Sequence, residues 1–490
     1  MLVLFHSLDF IRFFIAVFLL YWLLPQKRRN ALLLLASYLF YSSWDYRFLS
    51  LMLISTFANY VCGIRIHEST EPAKRRLYLL ISLAVSLSLL GLFKYFNFFV
   101  ENLVSLLNLM GLSLNYTTLD IILPLGISFY TFQALSYTID IYRKKIAPTR
   151  NIVDFSLFIA YFPQLIAGPI ERARNLIPQL EAEKSLMRIN AVEGLYLFLY
   201  GAFKKVVIAD SFGALVDMIY AMPNPSGAHV LLALYAFAIQ IYCDFSGYSN
   251  MARGISNFFG IKLSVNFNLP FFSEDVQQLI KRWHITLTSW IWEYVYVPLF
   301  LYLPSRTMLA RIGNSRLKYY LSAMATTFIT LLVFGLWHGA AWNFVLNGVY
   351  LFAVIMAFNV AKLAFDRYFK SGSAFMPFWV VKPIKTLVTL NSLLYGLLLF
   401  RARSIHQILV LTGALFSGIS FRELFALIPL QLYVLALFLV LYEAVQYFKN
   451  DQLLLCRQPA YAQVIFYITL FFIYLWVGAS SENSFIYFQF

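Results

Sequence analysis

Two tryptophan–histidine pairs stand in apolar surroundings: Trp283–His284 in LIKRWHITLTSW and Trp337–His338 in LLVFGLWHGAAWNFVLNGVY. An imidazole among hydrocarbon must find a partner, hide in a cavity or be used, because an unpaired polar group away from water is costly. Desolvation favours the neutral ring, and a neutral ring accepts a proton at ordinary pH, which suits His338 to general-base work. Acyl transfer from a thioester to a hydroxyl requires such a base, support for a developing oxyanion and exclusion of water. Asn343, a few residues on, offers either an oxyanion donor or a helix cap.

Other residues bear on the same chemistry. Asp244 and Ser246, in YAFAIQIYCDFSGYSNMARGI, end an apolar run. A carboxylate at membrane depth needs a partner, and Asp244 is expected to pair with Arg253 or Arg282 and hold the site rather than react. Lys204, Lys205, Lys281 and Arg282 could draw the phosphates of a coenzyme A or phosphopantetheine donor, although loop topology explains them as well. NFNLPFF at 266–272 reads as a structural turn. The remaining histidines, His6, His67, His229 and His406, lie near ends, loops or charged flanks. Cys62, Cys243 and Cys456 show neither disulfide nor zinc spacing, so no metal site is expected. Walker, GxSxG, HExxH and dinucleotide glycine patterns are missing from the sequence.

The elements that must hold these residues are membrane helices. Of 490 residues 61% are hydrophobic and only 12% charged, far from the balance of a soluble domain. Apolar stretches near the length of a bilayer crossing recur throughout and predict an all-α, polytopic protein with eleven or twelve spanning helices, as one domain over 1–490. The formal charge of +15 falls in short clusters such as QKRRN at 26–30 and AKRR at 73–76, as cytoplasmic loops do, so nucleic-acid binding is not indicated. Leu8 to Leu24 lacks a cleavage pattern and reads as a retained first span. Residues 151–174 and 281–306 carry basic flanks on both sides and read as re-entrant or interfacial, which requires an internal cavity to cover irregular backbone. Residues 318–361 read as two crossings, with HGAAW at the hairpin tip, where Gly339 and two alanines permit close approach.

Taken in order, LLLLASYLFYSSWDYRFL, LPLGISFYTFQALSYTIDIYR, YFPQLIAGPIERA, QIYCDFSGYSNMARGI, NFNLPFF, RWHITLTSW, GLWHGAAWNFVLNG, FRARS and FIYFQF resemble the membrane-bound O-acyltransferase (MBOAT) superfamily, and within it bacterial alginate O-acetyltransferase membrane subunits. The resemblance implies that His338 is the catalytic histidine of the WHG motif and that His284 shares the central site. It implies a helical disc in which a cytoplasmic donor tunnel meets an external funnel, with acetyl-CoA or an acyl carrier protein thioester as co-substrate and no bound cofactor. The acyl group would pass to a periplasmic partner or polysaccharide. Trp292 and Glu293 stand where the alginate-type pattern has an Arg-Asp pair, and Asn250 stands where an acidic residue is common, so alginate is not assigned as acceptor.

The resulting expectation is an acyltransferase of the bacterial inner membrane, with His338 as base, His284 positioning or polarising the thioester carbonyl, and Arg282, Trp283, Trp337, Asn343, Asp244 and Ser246 along the substrate path. The alternatives are D-alanyl transfer from a carrier protein, a transporter or flippase of an envelope precursor, and a scaffold for an export complex. Inverted repeats would favour a transporter, and none is visible in the sequence.

Overall fold

In the computed structural model the described residues are 4–112, 114–115, 118–119, 121–185, 187–368, 378–420, 422 and 428–477. The FIYFQF motif lies outside them. Among the described residues the fold is all-helical, without strands. Among the described residues eight helices are long and apolar enough to cross a membrane: Gln26–Glu68, Pro72–Leu109, Gly227–Phe258, Ser315–His338, Trp342–Ala364, Val381–Arg401, Leu430–Lys449 and Ala460–Val477. The difference from eleven or twelve has a physical source. The first two run for 43 and 38 residues, enough for two crossings each at about 20 residues per crossing, and Leu8–Leu23 and Ile127–Tyr142 are each only 16 residues long.

The chain divides into two compact units, one of residues 1–201 and 248–264, the other of 202–247 and 265–490. The first holds α1 (Leu8–Leu23), α2 (Gln26–Asp45), α3 (Leu49–Glu68), α4 (Pro72–Leu90), α5 (Phe96–Leu109) and α6 (Ile127–Tyr142). Its core is aromatic: Phe10, Phe40 and Phe162 are fully buried, with ring centroids about 6 Å apart. Helix α6 is buried along nearly its whole length, so it behaves as a core helix rather than a lipid-facing one. Residues 154–173 are buried throughout and broken into short helices, Ile152–Ala160 and Phe162–Leu165.

Polar side chains tie α3, α4 and α6 together inside the first unit. Asn59 Nδ2 donates to Ser86 Oγ at 3.0 Å, Ser82 Oγ donates to Asn59 Oδ1 at 2.7 Å, and Thr138 Oγ1 donates to Ser82 Oγ at 2.8 Å. In lipid such bonds substitute for the water these groups would otherwise keep.

The second unit carries α7 (Val276–Arg282), α8 (Ile285–Ile291), α9 (Val297–Arg306), α10 (Ser315–His338), α11 (Trp342–Tyr368), α12 (Phe378–Arg401), α13 (Ile405–Phe416), α14 (Leu430–Lys449) and α15 (Ala460–Val477). Asn314 caps α10, accepting from the Arg316 and Leu317 amides at 3.0 and 3.1 Å, which fixes where the hairpin begins. The hairpin α10–α11 closes on glycine. A Cβ on Gly335 would sit 2.2 Å from the Phe344 carbonyl oxygen, and one on Gly339 would sit 2.1 Å from the Phe344 ring, so no larger residue fits at either place. Within 281–306, α8 and α9 are joined by a widened π turn at Trp292–Tyr296.

Candidate active site

The sequence of the second unit brings both histidines to one tryptophan. His284 and His338 pack edge-on against Trp337, with ring centroids 5.9 and 5.0 Å away. His284 is 1% exposed and His338 8%. Phe245 backs the first ring at 4.6 Å, and Phe334 and Phe400 flank the second at 4.6 and 5.2 Å.

His284 owes its position to a turn that NFNLPFF provides. Its backbone is left-handed, φ 42°, at the start of α8, a conformation uncommon for residues with a Cβ. The adjoining backbone bonds hold it there: Ile285 N donates to the Asn266 carbonyl at 2.8 Å, and Asn268 N to the Arg282 carbonyl at 2.9 Å. Asn266 Oδ1 then lies 3.0 Å from His284 Nδ1 and accepts from Thr286 N at 3.3 Å and Thr286 Oγ1 at 3.0 Å. An oxygen that takes the Thr286 N–H is an acceptor, so His284 carries its proton on Nδ1 and its lone pair on Nε2. Burial, and after it the neighbouring His338, hold the His284 pKa well below its ordinary value, so the ring is neutral.

His338 fixes its tautomer by a different route. As the last residue of α10, it sets Nδ1 2.9 Å from the carbonyl oxygen of Phe334, one turn back. A carbonyl only accepts, so the proton is on Nδ1 and Nε2 is the basic nitrogen. Two imidazoles therefore present Nε2 lone pairs from one buried cluster.

A cavity of about 1240 Å³ leads to His338. Its wall includes Trp283, Ile285, Thr327, Thr330, Phe334 and Asn347, and its rim Lys281 and Lys362 with the hydrogen-bonded pair Gln277–Asn359. Tyr319 and His338 both line it, and at about 1.5 Å rise per residue the helix between them is about 28 Å long. Residues on this wall are mostly aliphatic or aromatic.

The other expected site residues lie elsewhere. Asn343 Nδ2 donates to the Ala402 carbonyl at 3.0 Å and also faces that of Phe400 at 3.5 Å, so it holds the FRARS segment against the hairpin and is not an oxyanion donor. Asp244 pairs with Lys205, at 2.9 Å, and not with Arg253 or Arg282; the same Lys205 Nζ is 2.7 Å from Asp210. The π turn Phe203–Ala209 turns both lysines inward: Lys204 donates to Ser246 Oγ at 2.9 Å over the Tyr242 ring. Lys204 and Lys205, 3% and 2% exposed, thus bind internal groups rather than an incoming phosphate. Asp244 and Ser246 stand behind the site, next to Phe245, and not on the cavity wall. Arg282 lies over the Tyr447 ring and donates to the Asn268 carbonyl at 3.3 Å, bracing the His284 turn. Of Arg282, Trp283, Trp337, Asn343, Asp244 and Ser246, Trp283 alone lines the cavity. The residue that sequence reasoning passed over is Asn266, whose only signal was its place in NFNLPFF.

The MBOAT, membrane-bound O-acyltransferase family profile matches residues 38–390, which include both histidines. The chain is 36% identical to the probable alginate O-acetylase AlgI of Pseudomonas putida, over 84% of this chain and 80% of that protein. It is 34% identical to the peptidoglycan O-acetyltransferase of Helicobacter pylori, over 86% and 81%. It is 24% identical to the teichoic acid D-alanyltransferase of Bacillus subtilis, over 58% and 70%.

Proposed function

Because this chain belongs to the membrane-bound O-acyltransferase family and is an acyltransferase, we propose that it moves an acetyl group from a cytoplasmic thioester to a hydroxyl of an extracytoplasmic envelope glycan, directly or through a periplasmic partner. The observation that carries the reading is His338 itself, with its proton on Nδ1, on the wall of a cavity that Lys281 and, twenty residues into α11, Lys362 also line. Basic residues gather at that rim end of the hairpin, Arg316 and Lys318 on α10 and Lys362 on α11, which by the positive-inside rule makes it cytoplasmic in a bacterial inner membrane. His338, at the other end of a 24-residue helix, then stands about 33 Å away from Arg316, near the outer face. Lys281 and Lys362 suit the phosphates of acetyl-CoA or of a carrier protein's phosphopantetheine.

In the reaction the acceptor oxygen attacks the thioester carbonyl carbon while His338 Nε2 takes the hydroxyl proton. The C–S bond breaks, and the proton passes from His338 to the leaving sulfur, giving an ester and a free thiol. The expected polarising role of His284 is withdrawn, because a ring with its only proton engaged by Asn266 cannot donate from Nε2. His284 keeps the positioning role, packed together with His338 against the Trp337 ring. Apolar walls keep competing water out.

The test is transfer of radiolabel from acetyl-CoA in membranes carrying wild type or His338→Ala, with the labelled product fractionated. Label in an envelope glycan or partner protein with wild type alone supports the reading, and equal labelling by both chains overturns it.

A further inference from the structure

The buried charges behind the site continue into α14. Glu443, six residues before Lys449 at the end of that helix, is 2% exposed, and its Oε1 accepts from the Tyr242 hydroxyl at 2.7 Å. A carboxylate within a membrane-spanning helix is expensive and marks a function unless it only fastens one helix to another. Glu443 also stands beyond the residues that the family profile matches. What its bond holds in place therefore decides what it is for.

Tyr242, 1% exposed, is fixed both at its polar tip and over its ring. Glu443 takes the hydroxyl hydrogen bond, and the Lys204 ammonium, itself bonded to Ser246 Oγ at 2.9 Å, lies 5.3 Å from the ring centroid. The ring so fixed packs on the turn that carries His284: Phe271, Phe267 and Trp283 have centroids 4.8, 5.9 and 6.2 Å from it. Phe271 and Trp283 line the cavity, and Trp283 is the residue before His284. A left-handed backbone such as that of His284, φ 42°, persists only where its surroundings over-determine it. The chain from α14 onward supplies a second restraint on the same turn. Gln446 Nε2 donates to the Gln452 carbonyl at 3.0 Å, and Gln452 Nε2 donates to the Phe267 carbonyl at 3.2 Å and to Asn268 Oδ1 at 2.9 Å.

We propose that Glu443 is a positioning residue for acyl transfer: by holding the Tyr242 hydroxyl it keeps the Trp283–His284 turn seated, with His338, against the Trp337 ring. The inference rests on the acyl-transfer reading and adds to it a residue of α14. Loss of the bond frees the tip of Tyr242, and the turn that packs on its ring loses a fixed support. A bond that only fastens α14 to the Gly227–Phe258 helix would set how much protein folds and leave the turnover of each folded molecule alone.

The experiment measures label transferred from saturating acetyl-CoA in membranes carrying the full chain, divided by the amount of chain that runs as a single peak in size-exclusion chromatography. Glu443→Leu should lower this turnover about tenfold, since a displacement of 1 Å in a site costs about 10²-fold. Glu443→Gln, which keeps an acceptor oxygen, should stay within about threefold of wild type. In the Asn266→Ala chain, whose turn is already loosened, Glu443→Leu should cost less than about twofold, because two changes that act on one turn do not add. If Glu443→Leu does not accumulate, Tyr242→Phe combined with Glu443→Leu removes both partners and orphans neither, and it should show the same tenfold loss. Wild-type turnover in either of these chains, equal losses with and without Asn266→Ala, Glu443→Gln no better than Glu443→Leu, or failure of the combined variant to accumulate would make Glu443 a fastening residue and overturn the proposal, with the acyl-transfer reading intact if His338→Ala is inactive. No transfer by wild type from any thioester, with His338→Ala identical, would overturn both.

Discussion

Polar groups among the helices of the first unit and polar groups on the α10 wall of the second are of the same kinds, and they are treated oppositely. Between α3, α4 and α6, Asn59 binds Ser86 and Ser82, and Ser82 binds Thr138, so donors and acceptors consume one another. Along α10, Thr330 keeps its hydroxyl unpartnered beside a cavity, and at the end of that helix His338 presents an unprotonated nitrogen. The first arrangement fastens helices where no hydrophobic force between them is available in lipid. The second sets Thr330 and His338 on a cavity wall, and that is what distinguishes a site from a seam.

The contrast can be broken at its strongest point first. His338→Ala should lower acyl transfer by about 10²–10⁴-fold, the range of a general base, while the protein accumulates and behaves in size-exclusion chromatography like wild type; comparable loss of folded protein would class His338 with Asn59. Asn266→Ala should reduce kcat by about 10–100-fold, because freeing Nδ1 lets the ring of His284 turn and change tautomer, and steady-state rates with unaltered donor KM would show it. On the other side of the comparison, Asn59→Leu should cost about 1–3 kcal/mol of stability by orphaning Ser82 and Ser86, seen as a lower melting temperature in detergent, with donor KM unchanged. The smallest effect concerns pH. His284 is held neutral when folded, with a pKa below its ordinary 6.5, so the unfolded chain binds the extra proton and stability falls as pH drops below about 6.5. His284→Asn should flatten that part of the melting-temperature profile, and an unchanged slope would mean that His284 is not the group responsible.

Much of this was legible in the chain because it is written locally. The hairpin, its glycine-rich tip and the position of His338 at the end of an apolar run follow from hydropathy and from one short motif. What was not legible depends on partners far apart in sequence. Asn266 meets His284 only because the 266–268 turn pairs with 282–285, and Lys205 meets Asp244 only because a π turn rotates it inward. Charge alone made Arg253 and Arg282 equally reasonable partners for that carboxylate. Crossing number was obscured for a related reason: α2 and α3 continue into each other with only a short 3₁₀ turn at Tyr46–Phe48 between them. Nor does anything in the spacing of Thr327 and Thr330 reveal that one hydroxyl folds back on its own helix and the other does not.

The fixed protonation of the two imidazoles has a consequence for the fate of a single hydrogen. With Nδ1 of each ring engaged by Asn266 or by the Phe334 carbonyl, neither ring can take up a proton on one nitrogen and release it from the other, as a relay must. Whatever arrives at Nε2 has to depart from Nε2, on the same edge of the ring, within one encounter. A deuteron brought in on the acceptor hydroxyl would therefore be carried off on the thiol, and an apolar pocket gives bulk water little chance to wash it out on the way.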